Sequence, residues 1–373
     1  NKVFINILLI LFIVNIFQAL FTQIIADEAY YKYYSENLSW GYYDHPPMVS
    51  LMIKISSLLF SGNLSIRFLT IITHLLTILI IWKIIDNRQA SKKDIYLFFI
   101  IISSVVMFAA YGFITTPDSP LLLFTALLLL SYKRFLKEES LTNMALLSIS
   151  MVGLIYSKYQ GGLVIILLIL SNIKLLKNYK FWISGLIALG LYTPHIIWQI
   201  NNEFPSFIYH TVGRSKPFKL KYILEYLPNQ AASFNPFILI VAIYILFKDK
   251  SKEALTRSYK FIIIGLIAFF GLSALRGHVE PHWTIAAAIP MVIMIYSWAI
   301  KSIQVRKYIR YTVAPSLIII VLLRIAIVTN WLIPQKVKIF NQKEFAFTID
   351  SLAQGRDVVF MDSYQNPSIF KFY

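Results

Sequence analysis

The sequence contains no cysteine. Disulfides, thiolate metal sites and cysteine nucleophiles are therefore excluded, while the redox compartment stays open. Charge is scarce too: 14% of the 373 residues are Asp, Glu, Lys or Arg, against 58% hydrophobic, and mean hydropathy is +0.66. An ordinary soluble domain is about a quarter charged. This shortage excludes a water-soluble globular enzyme, a disordered chain and a fibrous protein. It fits a polytopic membrane protein whose surface faces lipid. Acids are the scarcest class, 18 against 35 basic residues, giving a net charge of +17. Internal repeats and low-complexity tracts are also lacking.

What is present is a series of apolar runs. A bilayer core of about 30 Å takes roughly 20 apolar residues per helix, fewer where a helix is shielded. That ruler gives eleven spans, near 3–25, 64–85, 95–114, 119–132, 141–156, 162–173, 181–198, 234–247, 261–275, 284–300 and 311–332. The runs at 119–132 and 162–173 are short. The first run is too long for a signal-peptide core and no small-x-small cleavage site follows it, so it reads as a retained helix. With the N-terminus cytoplasmic, Lys2 and the loops at 83–93, 133–137, 174–180, 248–260 and 301–310 hold 20 of the 35 basic residues. Topology thus accounts for the positive charge, and a nucleic-acid partner loses its support. The acids show the opposite bias: Asp27, Glu28, Glu36, Asp44, Asp118, Glu203, Glu225 and Glu280 all fall outside, several beside His, Trp, Tyr and Pro. Chemistry is expected on that outer face.

Residues 1–332 read as one membrane domain with its first outer loop at 26–63, and 333–373 as an extracytoplasmic segment. In the latter, 357–362 (DVVFMD) reads as a buried β-strand. One strand is not a stable unit, so this segment reads as the start of a small α/β outer domain cut short by truncation.

The first outer loop is the most informative stretch. Asp27 opens a helix-like segment, where an Asp is a good N-cap; it is read either as that cap or as a carboxylate base at the interface. The run Tyr30, Tyr31, Tyr33, Tyr34, Trp40, Tyr42 and Tyr43 favours an interfacial aromatic belt over a sugar-stacking surface. Asp44-His45-Pro46-Pro47 is a rigid turn presenting an acid and an imidazole. The apolar stretch from Met48 to Phe60 is expected to lie along the interface as an amphipathic helix. Arg67 and Arg324, near outer span ends, are expected to snorkel, and His74 to pack.

DEAYYKYYSENLSWGYYDHPPM (27–48) resembles the first periplasmic loop of bacterial membrane glycosyltransferases of the GT-C superfamily. The relatives in question are the dolichyl-phosphate-mannose protein mannosyltransferases and the lipid A aminoarabinose transferase. TTPDSPLLLF (115–124), YSKYQGGL (156–163), PHIIWQINNEFPSF (194–207), GHVEPHWTIAAAIP (277–290) and DSYQNPSIFKFY (362–373) resemble later landmarks of the same family in the same order.

The resemblance implies an all-α integral membrane protein with the GT-C fold and about eleven spans. It implies a multi-pass enzyme of the bacterial inner membrane with its site facing the periplasm. The activity implied is inverting transfer of a sugar from a polyprenyl-phosphate donor to a glycolipid, glycan or protein hydroxyl. Asp27 is the implied base, and Glu28 orients the acceptor or tunes Asp27. Asp44 and His45 lie near the donor phosphate or a bound cation; some relatives carry Glu-Lys there, which weakens the phosphate reading for His45. Asp118 holds sugar or acceptor hydroxyls, or supports the base. Lys158, beside Tyr159, either binds phosphate or snorkels; Tyr159 is a substrate-site residue. Arg276 and His282 fit a donor site, with Asp44 and His282 as ligands of a divalent cation, the one expected cofactor. Arg214 is the expected substrate contact in the long outer loop. A transporter or flippase of a lipid-linked sugar is the alternative; it lacks the inverted repeats and midplane charges common in transporters. A non-catalytic scaffold gives no reason for the Asp-Glu and Asp-His-Pro-Pro placement.

Overall fold

A computed structural model describes residues 1–213, 217–329, 342–361 and 363–373. The membrane part begins with α1 (Lys2–Phe21), followed by the outer helices α2 (Ala26–Glu36) and α3 (Met48–Leu59) and then α4 (Leu64–Ile85). Next come α5 (Lys92–Ser103), the short α6 (Val106–Ala110), α7 (Asp118–Lys137), α8 (Leu141–Ser157) and α9 (Gln160–Ser171). The series continues with α10 (Tyr179–Asn201), α11 (Pro205–Ile208), α12 (Leu220–Phe234), α13 (Pro236–Lys248) and α14 (Ala254–Ser273). A 3-10 turn (Pro281–Ala287) runs into α15 (Ala288–Ala299), and α16 (Ile303–Tyr308), α17 (Ala314–Thr329), α18 (Gln342–Ala353) and α19 (Gln365–Phe372) follow.

Every expected span has a helix at its place, but not every helix can cross alone. Among the described residues seven segments are long and apolar enough, or eight if α12 and α13, bent by 97°, count as one broken span. The expected run at 95–114 is interrupted, because α5 ends at Ser103 and the hydroxyl of the capping Ser104 turns back onto the carbonyl of Ile100. Helices α8 and α9 have only 17 and 12 residues. The run expected at 119–132 is instead a 20-residue helix, since Lys133, Arg134, Phe135, Leu136 and Lys137 continue it. Lys133 is accommodated by donating to the carbonyl of Ile84 at 2.7 Å.

Lipid accounts for what water could not tolerate. Helix α1 exposes Ile5, Leu9, Ile10, Ile13, Phe17 and Phe21, and α17 exposes Ile318, Ile319, Val321 and Leu322. Helices α7 and α15 lie deep in the bundle, their leucines, isoleucines and methionines buried on most faces. Helix α3 has the expected two-sided character, with Val49, Met52 and Ile53 inward and Leu51, Ile55, Leu58 and Leu59 outward.

The outer layer departs from two expectations. Tyr31, Tyr34 and Tyr42 are buried, leaving only Tyr33, Trp40 and Tyr43 of the supposed belt exposed beside half-buried Tyr30. These rings form a second core with Ile24, Val49, Ile53 and Ile369, so they are packing residues rather than interface anchors. Residues 357–361 are not a strand; Val359 and Met361 are exposed and no described residue pairs with them. An apolar run without a partner strand gains nothing from extended geometry. Asp362 and the boundary expected at 332 lie outside the described residues. The described C-terminal part is two helices, with α19 folded onto α2.

Candidate active site

The outer layer is tied to the bundle by a buried ion pair. Arg67 of α4 is fully buried, not snorkelling. Its Nε donates to Glu28 Oε1 at 2.7 Å and its Nη2 to Glu28 Oε2; the remaining guanidinium hydrogens go to the carbonyls of Ala19, Thr22 and Gln23. The Glu28 carboxylate also accepts the N–H of Thr115 at 2.9 Å and of Ile25 at 3.2 Å. Glu28 therefore does the helix capping expected of Asp27, which sits one residue inside the start of α2. It also holds the segment that leads into Asp118.

Asp27 is left free for other work. It lines a cavity of about 670 Å3 at the end of the bundle that carries α2 and α3, together with Asp44, His45, Lys158, Tyr159, Arg276 and His282. Leu163 of α9 and Phe269 and Phe270 of α14 bring apolar walls from the membrane part. Asp118, buried at the start of α7, lies one side chain behind the wall. Lys158 Nζ donates to its two oxygens at 2.8 and 3.0 Å, and His282 Nε2 is 3.7 Å from Oδ2. Lys158 is thus paired rather than snorkelling, as a buried ammonium must be. Glu28 faces Arg67 and does not line the cavity. It cannot orient an acceptor there, but its charge helps raise the Asp27 pKa. Arg214 lies outside the described residues.

Burial pushes the Asp27 carboxyl above its usual range; a hydrogen bond from Tyr364 opposes this, and the charges of Asp44, Glu28 and Glu280 add to it. Asp44 is raised by burial as well, while Tyr34 and Tyr30 donate to its Oδ1 at 3.1 and 3.4 Å. Burial holds His45 well below the usual imidazole range, so it is neutral near pH 7. Its 3.7 Å approach to Asp44 is a contact and not an ion pair. A neutral imidazole brings no positive charge to a phosphate.

Asp44 and His282, the two residues expected to hold a cation, both line the cavity. Hard divalent ions take several oxygen ligands, whereas Asp44 is engaged by two phenols and His282 faces Asp118. Among the described residues no group of three or more His, Asp or Glu is arranged to hold a metal ion.

Two cavity residues, His210 and Tyr364, are not marked individually by the sequence, although Tyr364 lies within the 362–373 stretch. His210, whose Nε2 lies 2.9 Å from the carbonyl of Asp44, comes from the long outer loop. Tyr364 comes from the C-terminal segment, with its hydroxyl donating to Asp27 Oδ1 at 3.0 Å. Tyr159 is held by Gln199 at 2.8 Å and lies 3.1 Å from His195 Nε2, and His195 Nδ1 lies 2.6 Å from the carbonyl of Trp40. The loop reaches α10 this closely because residue 41 is glycine: a Cβ there would lie 2.3 Å from the Trp198 ring.

A family model described as dolichyl-phosphate-mannose-protein mannosyltransferase matches residues 44–198. Lipid A galacturonosyltransferase RgtD of Rhizobium johnstonii is 23% identical over 291 residues, 73% of this chain and 60% of that protein. The chain thus spans about 60% of the length of this curated relative. Two crystal structures of ArnT from Cupriavidus metallidurans superpose on it with a TM-score of 0.71, one bound to undecaprenyl phosphate and one apo. They are 13% and 14% identical, and each match covers 99% of this chain and 84% or 83% of the other. The fold is GT-C, in a multi-pass membrane protein, and the resemblance to membrane glycosyltransferases of the ArnT and protein-mannosyltransferase type holds across sequence and structure.

Proposed function

We propose that this GT-C chain is an inverting glycosyltransferase. It takes a sugar from an undecaprenyl-phosphate-type donor and passes it to a hydroxyl of a lipid, glycan or protein at the outer face of the inner membrane. The observation that carries the reading is one cavity, bordered by membrane-part side chains, that contains an unpaired carboxylate, Asp27, and two cations, Lys158 and Arg276. The basic residues gathered in the opposite set of loops support the outward orientation. The curated relative acting on lipid A and the ArnT structure bound to undecaprenyl phosphate support the donor and a lipid acceptor.

The geometry suits the chemistry. Asp27 takes the proton of the acceptor hydroxyl as its oxygen attacks the anomeric carbon. The bond from that carbon to the phosphate oxygen breaks, and its electron pair stays on the phosphate. Lys158 and Arg276 oppose the charge that develops there, in a site where low dielectric makes each contact count. Asp118 holds Lys158 in place through its two oxygens. Asp44, His45 and Tyr159 border the space left for the sugar.

The acceptor and sugar are read from cells. Mass spectrometry of envelope lipids and glycoproteins, with and without the gene, is expected to show one glycoconjugate lost and its polyprenyl-phosphate sugar accumulating. Unchanged conjugates with no accumulated donor remove the proposal. A second expectation concerns pH. Asp27 works deprotonated and its pKa is raised, so kcat/KM increases with pH along an acid limb centred above the ordinary carboxylate value of about 4. A limb at or below that value contradicts the burial and the acidic neighbours described above.

A further inference from the structure

The C-terminal segment is bound tightly to the helix that carries Asp27. Ile369 of α19 is wholly buried in the outer core, and the Tyr373 hydroxyl accepts the N–H of Ile24 at 3.3 Å. Lys371 pairs with Glu36 at 3.2 Å and lies 4.2 Å from the centre of the Tyr33 ring. At the head of α19 the carbonyl of Tyr364 accepts the Ser368 hydroxyl at 2.6 Å, which fixes the turn. The Tyr364 ring stands 4.3 Å from that of Tyr30, and Tyr30 and Tyr34 share a hydroxyl contact beside Asp44. One phenol thereby reaches both acid environments of the cavity, and its hydroxyl meets Asp27 Oδ1.

We infer that Tyr364 is a positioning residue for Asp27, and that the outer C-terminal segment forms one wall of the reaction cavity. The inference rests on the glycosyl-transfer reading above. A carboxylate has two oxygens; a phenol donating to Oδ1 fixes the side-chain rotamer and leaves Oδ2 to receive the acceptor proton. The hydrogen bond also favours the ionised form, against burial. Burial and the neighbouring carboxylate keep the Tyr364 phenol protonated, so it remains a donor.

The other groups around Asp27 are placed as follows. Glu28 and Tyr31 share its helix, Asp44 and His45 come from the Pro-Pro turn, and Tyr111 from the stretch after α6. Lys158 stands between α8 and α9, with Arg276, Glu280 and His282 on the connection after α14. Asp44, Glu28 and Glu280 raise the Asp27 pKa, and the Tyr364 hydroxyl lowers it.

Tyr364→Phe keeps the ring and its contact with Tyr30 and removes only the hydroxyl. In the full chain in proteoliposomes, the acid limb of kcat/KM should move up by about one pH unit. That appears as a roughly tenfold loss on the acid side that is recovered at alkaline pH. Carbodiimide labels protonated carboxyls, so the pH midpoint of Asp27 labelling, followed by peptide mass spectrometry, should move the same way. A limb and labelling midpoint that superimpose on those of the parent overturn the inference, as does a loss equal at every pH with the midpoint unmoved. Labelling needs no turnover, so it decides the role of Tyr364 even if sugar transfer itself is never observed.

Discussion

Asp27→Asn is expected to lower sugar transfer by about a hundredfold or more, the usual weight of a positioned general base, while the protein stays folded. The fold is spared because Asp27 holds no described ion pair and does not cap α2. Asn keeps an oxygen for the Tyr364 hydroxyl and matches the shape of Asp. What it loses is basicity. The measurement is release of polyprenyl phosphate by the reconstituted variant, with size-exclusion and thermal profiles as the folding control. A variant that still turns over within a few-fold of the parent at pH 8 removes Asp27 from the base role.

Glu28→Gln and Arg67→Met are expected to do the opposite, costing stability first. Each leaves one charge of a wholly buried pair without its partner, which costs about 3–5 kcal/mol. Five guanidinium hydrogens and four acceptor contacts of the carboxylate meet at this point. The double variant removes both charges together, so it should be less damaged than the sum of the two single variants. Thermal midpoints in detergent for the four proteins close that cycle. Single variants that melt with the parent would show that the pair does not hold the layers together. Activity should fall with stability, because Thr115, three residues before Asp118, hangs on the same carboxylate.

Much of this was legible in the chain itself. Hydropathy placed a helix under every expected span, and the run of Asp-Glu, Asp-His-Pro-Pro and Thr-Pro-Asp marked residues that now border or back one cavity. Three-dimensional pairing was not legible. Glu28 and Arg67 are 39 residues apart and read singly as an acid that orients the acceptor or tunes Asp27 and as a snorkelling base. Tyr364 is 337 residues from Asp27, with no spacing rule to link them. The tyrosines of the first loop looked like an interface belt because composition cannot distinguish a ring packed under a lid from one lying among headgroups. Residues 357–361 looked like a strand because a local apolar pattern cannot reveal whether a neighbour exists to pair with it.

The right-angle break before α13 bears on the shape of the membrane itself. Asn235, at φ 77°, makes the elbow and bonds the carbonyl of Ser104 and the hydroxyl of Ser316, so the interruption leaves its own amide satisfied. Below it α13 has 13 residues, and α9, which starts at the cavity, has 12. At 1.5 Å per residue these rise about 18–20 Å, well short of a hydrocarbon layer of about 30 Å. Local thinning of the bilayer beside them is one way to match such short helices. On the proposed glycosyl-transfer reading, a lipid-anchored carrier would meet the cavity where the bilayer thins, and activity in vesicles of stepped acyl length is expected to favour the thinner ones.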